Sequence, residues 1–512
     1  ATTYVKHCCM TIGISAITRP LLFAPLIVSL FTAGIRYTFH YPMHTAGYLG
    51  LALAGIGFWI THRLTQQGRL AAPKREATLQ ALIPTLFVCA LVLFPAAYGC
   101  INTGNADGGN HIRQYLRFIS TTPQEYNGFS GFYSLLYLLE HGVGITLEAA
   151  IITALIYAVF LSLYAAFAWG CEQRAPLVVL TLAIAGVVAP IVHYLQSNGF
   201  YAHLFSIPVI LGYLGLAPRC TTKPVAALLF LSTVAAVRFS YGLNLPDLLL
   251  VGALSLLAHR HFVAALPLAL AAFIAFKALS SVLPIQGDHR EVVTLALIAS
   301  VGCFVIGSRR GCLARRFVLV SAATWVLFGV LYGFSMYYVT KHALSWCILL
   351  ALSSALLWRE ASGTARAWLC ASFVLLAVGL GDIERLTLTS VRTRTGPPEV
   401  DVRLTRSIRT YLQDHNQEMG YFVSSKWART NMTNAIFNRD LSYSDYIDGN
   451  LDVGRGCLFL ESSPETIKKI RRNRFPGLAA SLERLSTAPT DTLVVDTPWS
   501  RRKTSSVLVV CR

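Results

Sequence analysis

Residues 146–169 read TLEAAIITALIYAVFLSLYAAFAW, and after Glu148 no charged side chain interrupts the run until Glu172. A helix of about 20 such residues, rising ~1.5 Å per residue, crosses the ~30 Å hydrocarbon layer of a bilayer. Runs of this kind recur on both sides of it. Together they predict thirteen crossings, at 20–36, 44–61, 82–99, 146–169, 176–194, 203–217, 224–237, 245–258, 263–284, 292–307, 317–334, 343–358 and 367–381. The composition agrees: 54% of the 512 residues are apolar and 13% charged, with a mean hydropathy of +0.54. Soluble domains carry roughly a quarter charged residues. The deficit excludes a soluble globular enzyme, a disordered chain and a coiled coil, and leaves an α-helical polytopic membrane protein.

The basic residues set a direction. With a cytoplasmic N-terminus, the cytoplasmic segments hold 16 Lys and Arg, among them Arg63, Arg69, Arg219 and Arg366. The outer loops of the membrane part hold six: Arg36, Arg113, Arg117, Arg238, Arg290 and Lys341. This is the positive-inside bias. With 20 more in the tail and Lys277 inside a crossing, it accounts for all 43 Lys and Arg, so the net charge of +18 speaks for topology and not for nucleic acid. Thirteen crossings then put the tail, residues 382–512, on the outer face. The first apolar stretch is expected to remain as a crossing, since no small-residue cleavage site follows it. Of the ten acids in residues 1–381, seven (Asp107, Glu125, Glu140, Glu148, Asp247, Asp288 and Glu291) fall in or beside outer loops. Their crowding points to chemistry on that face, although a solvated loop explains any single one. The 12 Cys show neither CxxC nor Cys/His spacing, so no structural zinc is expected.

The longest outer segment of the membrane part is residues 100–144, CINTGNADGGNHIRQYLRFISTTPQEYNGFSGFYSLLYLLEHGVG. Ile112, Tyr115, Leu116 and Ile119 share a face and predict a helix over 110–119. The aromatic run 129–139 is too short to span. Both read as helices lying at the interface, with Tyr and Phe at headgroup depth. Gly108 and Gly109 predict a sharp bend. Asp107 then stands at or beside a helix N-terminus, where a lone Asp is also an ordinary cap.

A crossing, an acid on a short connection, two juxtamembrane helices and a further crossing together resemble the opening of the GT-C glycosyltransferases. The segment NADGGNHIRQYLR is similar to their first-loop motif. The resemblance covers about residues 100–220, with two crossings ahead of the loop where many members have one. It implies a GT-C-like membrane domain over 1–381 whose active site opens on the outer face. The implied donor is a polyprenyl- or dolichyl-phosphate-linked sugar, and the acceptor a glycan, lipid or cell-envelope molecule. The implied location is the bacterial inner membrane, or the ER membrane in a eukaryote, with membrane lipids as surroundings. Such transfer needs a base for the acceptor hydroxyl and cations for the departing phosphate. By resemblance Asp107 is the base, Glu125 or Glu140 a second carboxylate, and His111 and Arg113 lie near donor or acceptor. No cofactor is assigned. A divalent cation, Mg or Mn, is left open, because one Asp and a nearby His are not a coordination set. The tail has no WWD-type motif, which speaks against protein N-glycosylation.

Later outer segments supply further polar groups. HYLQSNGFYAH carries His193, Tyr194, Gln196, Asn198, Tyr201 and His203, suited to sugar hydroxyls; an aromatic belt accounts for its tyrosines alone. Arg238, in RFSYGLNLPD, either meets phosphate or snorkels. In SMYYVTKHALSW, Tyr338, Lys341 and His342 stand at the outer end of a crossing, and a Lys there runs against the positive-inside trend. Binding a carrier phosphate as a point charge is one task for it; anchoring at the interface is the other.

The tail reads as a small mixed α/β extracytoplasmic domain. IRTYLQDH and PETIKKIRRNR are helical, and GCLFLES, TLVVD and SSVLVVC are strands. Cys457 and Cys511 sit in two of those strands, and a disulfide between them is expected on the oxidising side. Asp440, Asp445 and Asp448 suggest a calcium loop without EF-hand spacing. Asn431-Met432-Thr433 is a glycosylation sequon. Two rivals share the substrates: a transporter or flippase of lipid-linked sugars, which predicts mid-membrane charges and an internal repeat, and an O-antigen ligase or polymerase.

Overall fold

Helices α1 (Thr2–Phe39) and α2 (Met43–Gln66) form a hairpin. Its close approach needs Gly50, where a Cβ would lie 2.3 Å from Thr32 Oγ1. The computed structural model describes residues 2–71, 75–95, 106–120, 130–197, 200–241, 248–249, 302–303, 336–359, 361–377, 402–424, 427–448, 456–462, 468, 490–496 and 504–511. The helices continue as α3 (Arg75–Pro95), α4 (Ala106–Ser120), α5 (Ser130–Tyr137), α6 (Leu147–Glu172), α7 (Leu177–Ala183), α8 (Ala189–Ser197), α9 (Tyr201–Leu216), α10 (Lys223–Tyr241), α11 (Met336–Leu357) and α12 (Gly363–Ala377). Single π-turns, Leu138–Gly142 and Ile184–Val188, follow α5 and α7.

The opening stretch of the sequence analysis is α6, the central post of the bundle. Thr146 caps it by accepting from the Ala149 N–H (3.4 Å), and α3 and α9 pack along it. Its Tyr164 and Phe167 share one core with Phe205 of α9, Phe132 of α5 and Ile348 of α11. The Tyr157 hydroxyl reaches α1, donating to the Leu22 carbonyl (2.8 Å) and accepting from the Leu26 N–H (3.3 Å). Large apolar side chains also face outward: Leu51 and Trp59 of α2, Phe87 and Leu91 of α3, Val178 of α7 and Leu231 of α10. A surface of this kind suits lipid rather than water.

Among the described residues, five helices are long and apolar enough to cross a membrane: Leu21–Phe39, Met43–Gln66, Leu147–Glu172, Leu177–Leu195 and Lys223–Tyr241. The chain is a helical, membrane-embedded protein. Of the thirteen expected crossings, those at 245–258, 263–284, 292–307 and 317–334 lie outside the described residues apart from 248–249 and 302–303.

The loops sort into two ends. At one, the α2–α3 connection pairs with the α9–α10 connection: Ala71 N–H donates to the Arg219 carbonyl (2.9 Å), Thr221 N–H to that of Arg69 (3.1 Å). Arg219 also lies 4.0 Å from Glu172 at the foot of α6. At the opposite end lie α4, α5, the α1–α2 turn and the head of α6. There the buried Arg36 donates to the carbonyls of Tyr41 (2.6 Å) and Phe118 (3.2 Å).

The tail stands on this second end. Its described residues form α13 (Val402–Asp414), α14 (Trp427–Ile436), α15 (Tyr443–Asp448) and a four-stranded sheet in the order β1-β2-β4-β3. The strands are β1 (Met419–Val423), β2 (Cys457–Glu461), β3 (Thr490–Asp496) and β4 (Thr504–Cys511). β1 and β2 are parallel, as their crossover through α14 and α15 requires, and the remaining pairs are antiparallel. Leu404 and Ile408 of α13 cover one face of the sheet beside Phe422 and Phe459. Cys457 and Cys511, opposed across β2 and β4, are joined by a disulfide. PETIKKIRRNR lies outside the described residues except Lys468.

Candidate functional site

The 3.6-residue period of α4 decides what its side chains do, since both of its long faces meet protein. Asp107, His111 and Tyr115 recur every four residues and so stand in one row. His111 and Tyr115 point inward, at 9% and 0% exposure. His111 Nδ1 is 3.1 Å from the Tyr133 hydroxyl, which donates to Gln114 Oε1 at 2.7 Å. The His111 ring lies 5.6 Å from that of Tyr201 at the start of α9. Tyr115 donates to Glu140 Oε2 (2.5 Å) on the π-turn after α5. Burial, reinforced by the hydrogen bond to Glu140, holds the Tyr115 phenol far above its ordinary pKa, so it remains a proton donor. Glu140 is about a quarter exposed and has the His141 ring nitrogen 3.7 Å away.

Two expectations for this loop change. Tyr115, Phe132 and Tyr133 are not presented to an interface but fully buried in protein, because α4 lies between α5 and α14 while α5 packs against α1, α6, α9 and α10. Nor is there a bend at Gly108 and Gly109, since α4 begins at Ala106. Gly109 serves close packing instead: a Cβ there would lie 2.5 Å from Asn431 Nδ2 of α14.

Arg113 comes only two residues after His111, but two residues turn a helix by about 200°, and it faces the tail. Its guanidinium pairs with Asp440, donates to Asn431 Oδ1 at 2.9 Å and to Asn110 Oδ1 at 2.6 Å. Arg117, one turn on, lies 3.9 Å from Asp440. The cation expected beside a phosphate is thus engaged with the tail. A second tie runs from the head of α6: Arg409 of α13 donates through Nε (3.2 Å) and Nη2 (3.0 Å) to the buried Glu148 Oε1, while lying 5.1 Å from the Phe437 ring centroid. Met432, Ala435 and Ile436 of α14 complete the seam by joining the core of the membrane helices.

The acids and sequon of the tail find other uses. Asp440 belongs to Arg113. Asp445 accepts from Ser442 Oγ (2.5 Å), and that oxygen accepts from the Asp445 N–H (3.0 Å), a cap for α15. Two of the three acids proposed for calcium are thereby committed, and the Asp448 side chain lies outside the described residues. Asn431 is 2% exposed, and its sequon is buried against α4.

The remaining expected site residues divide. Tyr201 (0% exposed) joins His111, whereas His203 (1%) stacks on Tyr241 of α10, ring centroids 4.9 Å apart. His193 is buried in α8, and the Tyr194 ring meets Phe200 at 6.1 Å. Arg238 occupies the last turn of α10. Tyr338, Lys341 and His342 fall inside the opening turns of α11 rather than in a loop, because that helix starts at Met336. Their side chains, those of Asp107 and Asn198, and all of Glu125 lie outside the described residues. Sequence reading missed Asn431, Asp440 and Arg409 as partners of the loop. The available signal was Arg113 and Arg117 at i and i+4 on the polar face of α4, a cationic pair without an acid at helix spacing. No protein-family model, curated protein or solved structure matches the chain.

Proposed function

We propose that the chain is a membrane glycosyltransferase of the GT-C kind, which moves a sugar from a polyprenyl-phosphate donor to a glycan, lipid or cell-envelope acceptor. On this reading residues 1–381 form the catalytic membrane domain, with about thirteen crossings and a cytoplasmic N-terminus, and residues 382–512 an outer α/β domain. The observation that carries it is the carboxylate of Glu140, held by the neutral Tyr115 hydroxyl at the rim of the helical end that the tail covers. The same helix, α4, bears Asp107 in its first turn. From Asp107 to Tyr115, the partner of Glu140, the helix rises about 12 Å over eight residues.

Asp107 takes the proton of the acceptor hydroxyl. The acceptor oxygen bonds to the anomeric carbon as the bond from that carbon to the phosphate oxygen breaks. The polyprenyl phosphate leaves, and the role of meeting its negative charge is assigned to Lys341, Arg238, Tyr338 and His342. Arg113, being committed to Asp440, is released from this set.

Purified protein offered radiolabelled polyprenyl-phosphate sugars tests the proposal. Wild type transfers label, D107N loses roughly 10²- to 10⁴-fold in rate, the range of a general base, and E140Q and Y115F lose less. A folded wild type that transfers nothing from the panel overturns the reading. Full activity in D107N overturns the choice of base.

A further inference from the structure

The tail touches α4 where the proposed base lies. Asn431 of α14 packs on Gly109, two residues from Asp107, at a distance that leaves no room for a Cβ. Arg113 then binds Asn431 and Asp440 at once. Contacts of the inward face hold α4 against the bundle, but aromatic packing tolerates small slides and rotations. A guanidinium with directional bonds to two tail residues tolerates fewer, because its planar fork fixes orientation. Asp440 is 65% exposed and Arg113 23%, and an ion pair in contact with water adds little to overall stability. What the pair supplies is geometry.

We propose that Arg113, Asn431 and Asp440 are positioning residues, a lock through which the docked tail sets the axial and rotational place of α4 and so the aim of Asp107. This rests on the reading of Asp107 as base. The tail is then a working part of the site, and its undocking switches transfer off without altering the donor's phosphate contacts.

Charge exchange tests the lock in the full-length protein. The readouts are hydrogen exchange of the α4 amides, which needs no activity, and transfer kinetics. R113E is expected to raise exchange across 106–120 and to lower kcat by roughly 10- to 100-fold, the cost of a misplacement near 1 Å, with KM for the donor unchanged. The milder D440N moves both readouts the same way by less, and R113E/D440R restores both. Were Arg113 a ligand of the donor phosphate instead, R113E would raise KM with α4 protection intact and the double exchange would not rescue; that result overturns the lock. Unchanged α4 protection in both single variants overturns it as well. If wild type transfers no sugar, the glycosyltransferase reading falls while the exchange data still decide whether the tail locks α4.

Discussion

Glu148 and Arg409 share one ion pair but not one environment. The carboxylate is 3% exposed and the guanidinium 41%. Removing the Arg strands a buried charge, whereas removing the Glu leaves a guanidinium that keeps its water and its place over Phe437. R409A is therefore expected to cost about 2–3 kcal/mol, the low end for breaking a buried pair because one partner is half in water. E148Q is expected to cost under about 1 kcal/mol, since Gln still accepts a hydrogen bond. Thermal unfolding in detergent measures both, and equal losses would show that the carboxylate is not truly buried. The asymmetry also shows why loop acids resist reading from sequence. Asp440 and Glu148 both look like solvated loop acids; only the second is buried, by a helix some 260 residues away.

At the level of the element, α4 is the informative case. Its existence and its apolar stripe were legible from Ile112, Tyr115, Leu116 and Ile119, because helical periodicity is a local property. Its surroundings were not. The stripe that reads as an interfacial helix is the same stripe that seats a helix between two protein layers, and the deciding partner, α14, lies more than 300 residues on. Gly109 was misread for the same reason: glycine signals either a turn or a close approach, and the sequence does not say which. G109A gains up to ~1 kcal/mol of helix propensity but must push Asn431 aside, so a net loss of about 1–2 kcal/mol is expected from overpacking. Differential scanning calorimetry reads that loss, and a stabilised protein would contradict the close contact. Three of the four described strands were legible as short apolar runs, a local property, and β1 (Met419–Val423) was missed; the two cysteines expected to pair do so across β2 and β4.

Across the whole molecule, two sets of contacts hold the tail to the loops at one end of the bundle, while Arg69, Arg219 and Glu172 mark the other. Helices α4 and α5 and the described part of the tail therefore share an end of the bundle, which demands an even number of crossings between residues 146 and 381; ten are expected from the sequence. The Cys457–Cys511 disulfide closes a span of 54 residues. By loop-closure entropy it contributes about 4 kcal/mol to the tail, a large share of what a domain of that size can hold. C457S/C511S is expected to melt the tail well below the membrane helices and to expose α4 to protease. A single unshifted transition would show that the sheet does not depend on the bridge.

The strand order carries a consequence for biogenesis. β4 lies between β2 and β3 although it follows both in the chain, so a ribosome must pass Cys511 before β2 and β3 can belong to one sheet. By then the membrane helices and α4 have long left the translocation machinery. Arg113 waits through more than 300 residues of synthesis for Asn431 and Asp440. A chain assembled in this order completes its sheet only once β4 is in place, and a truncated nascent chain carries an α4 whose Arg113 has no finished tail to pair with.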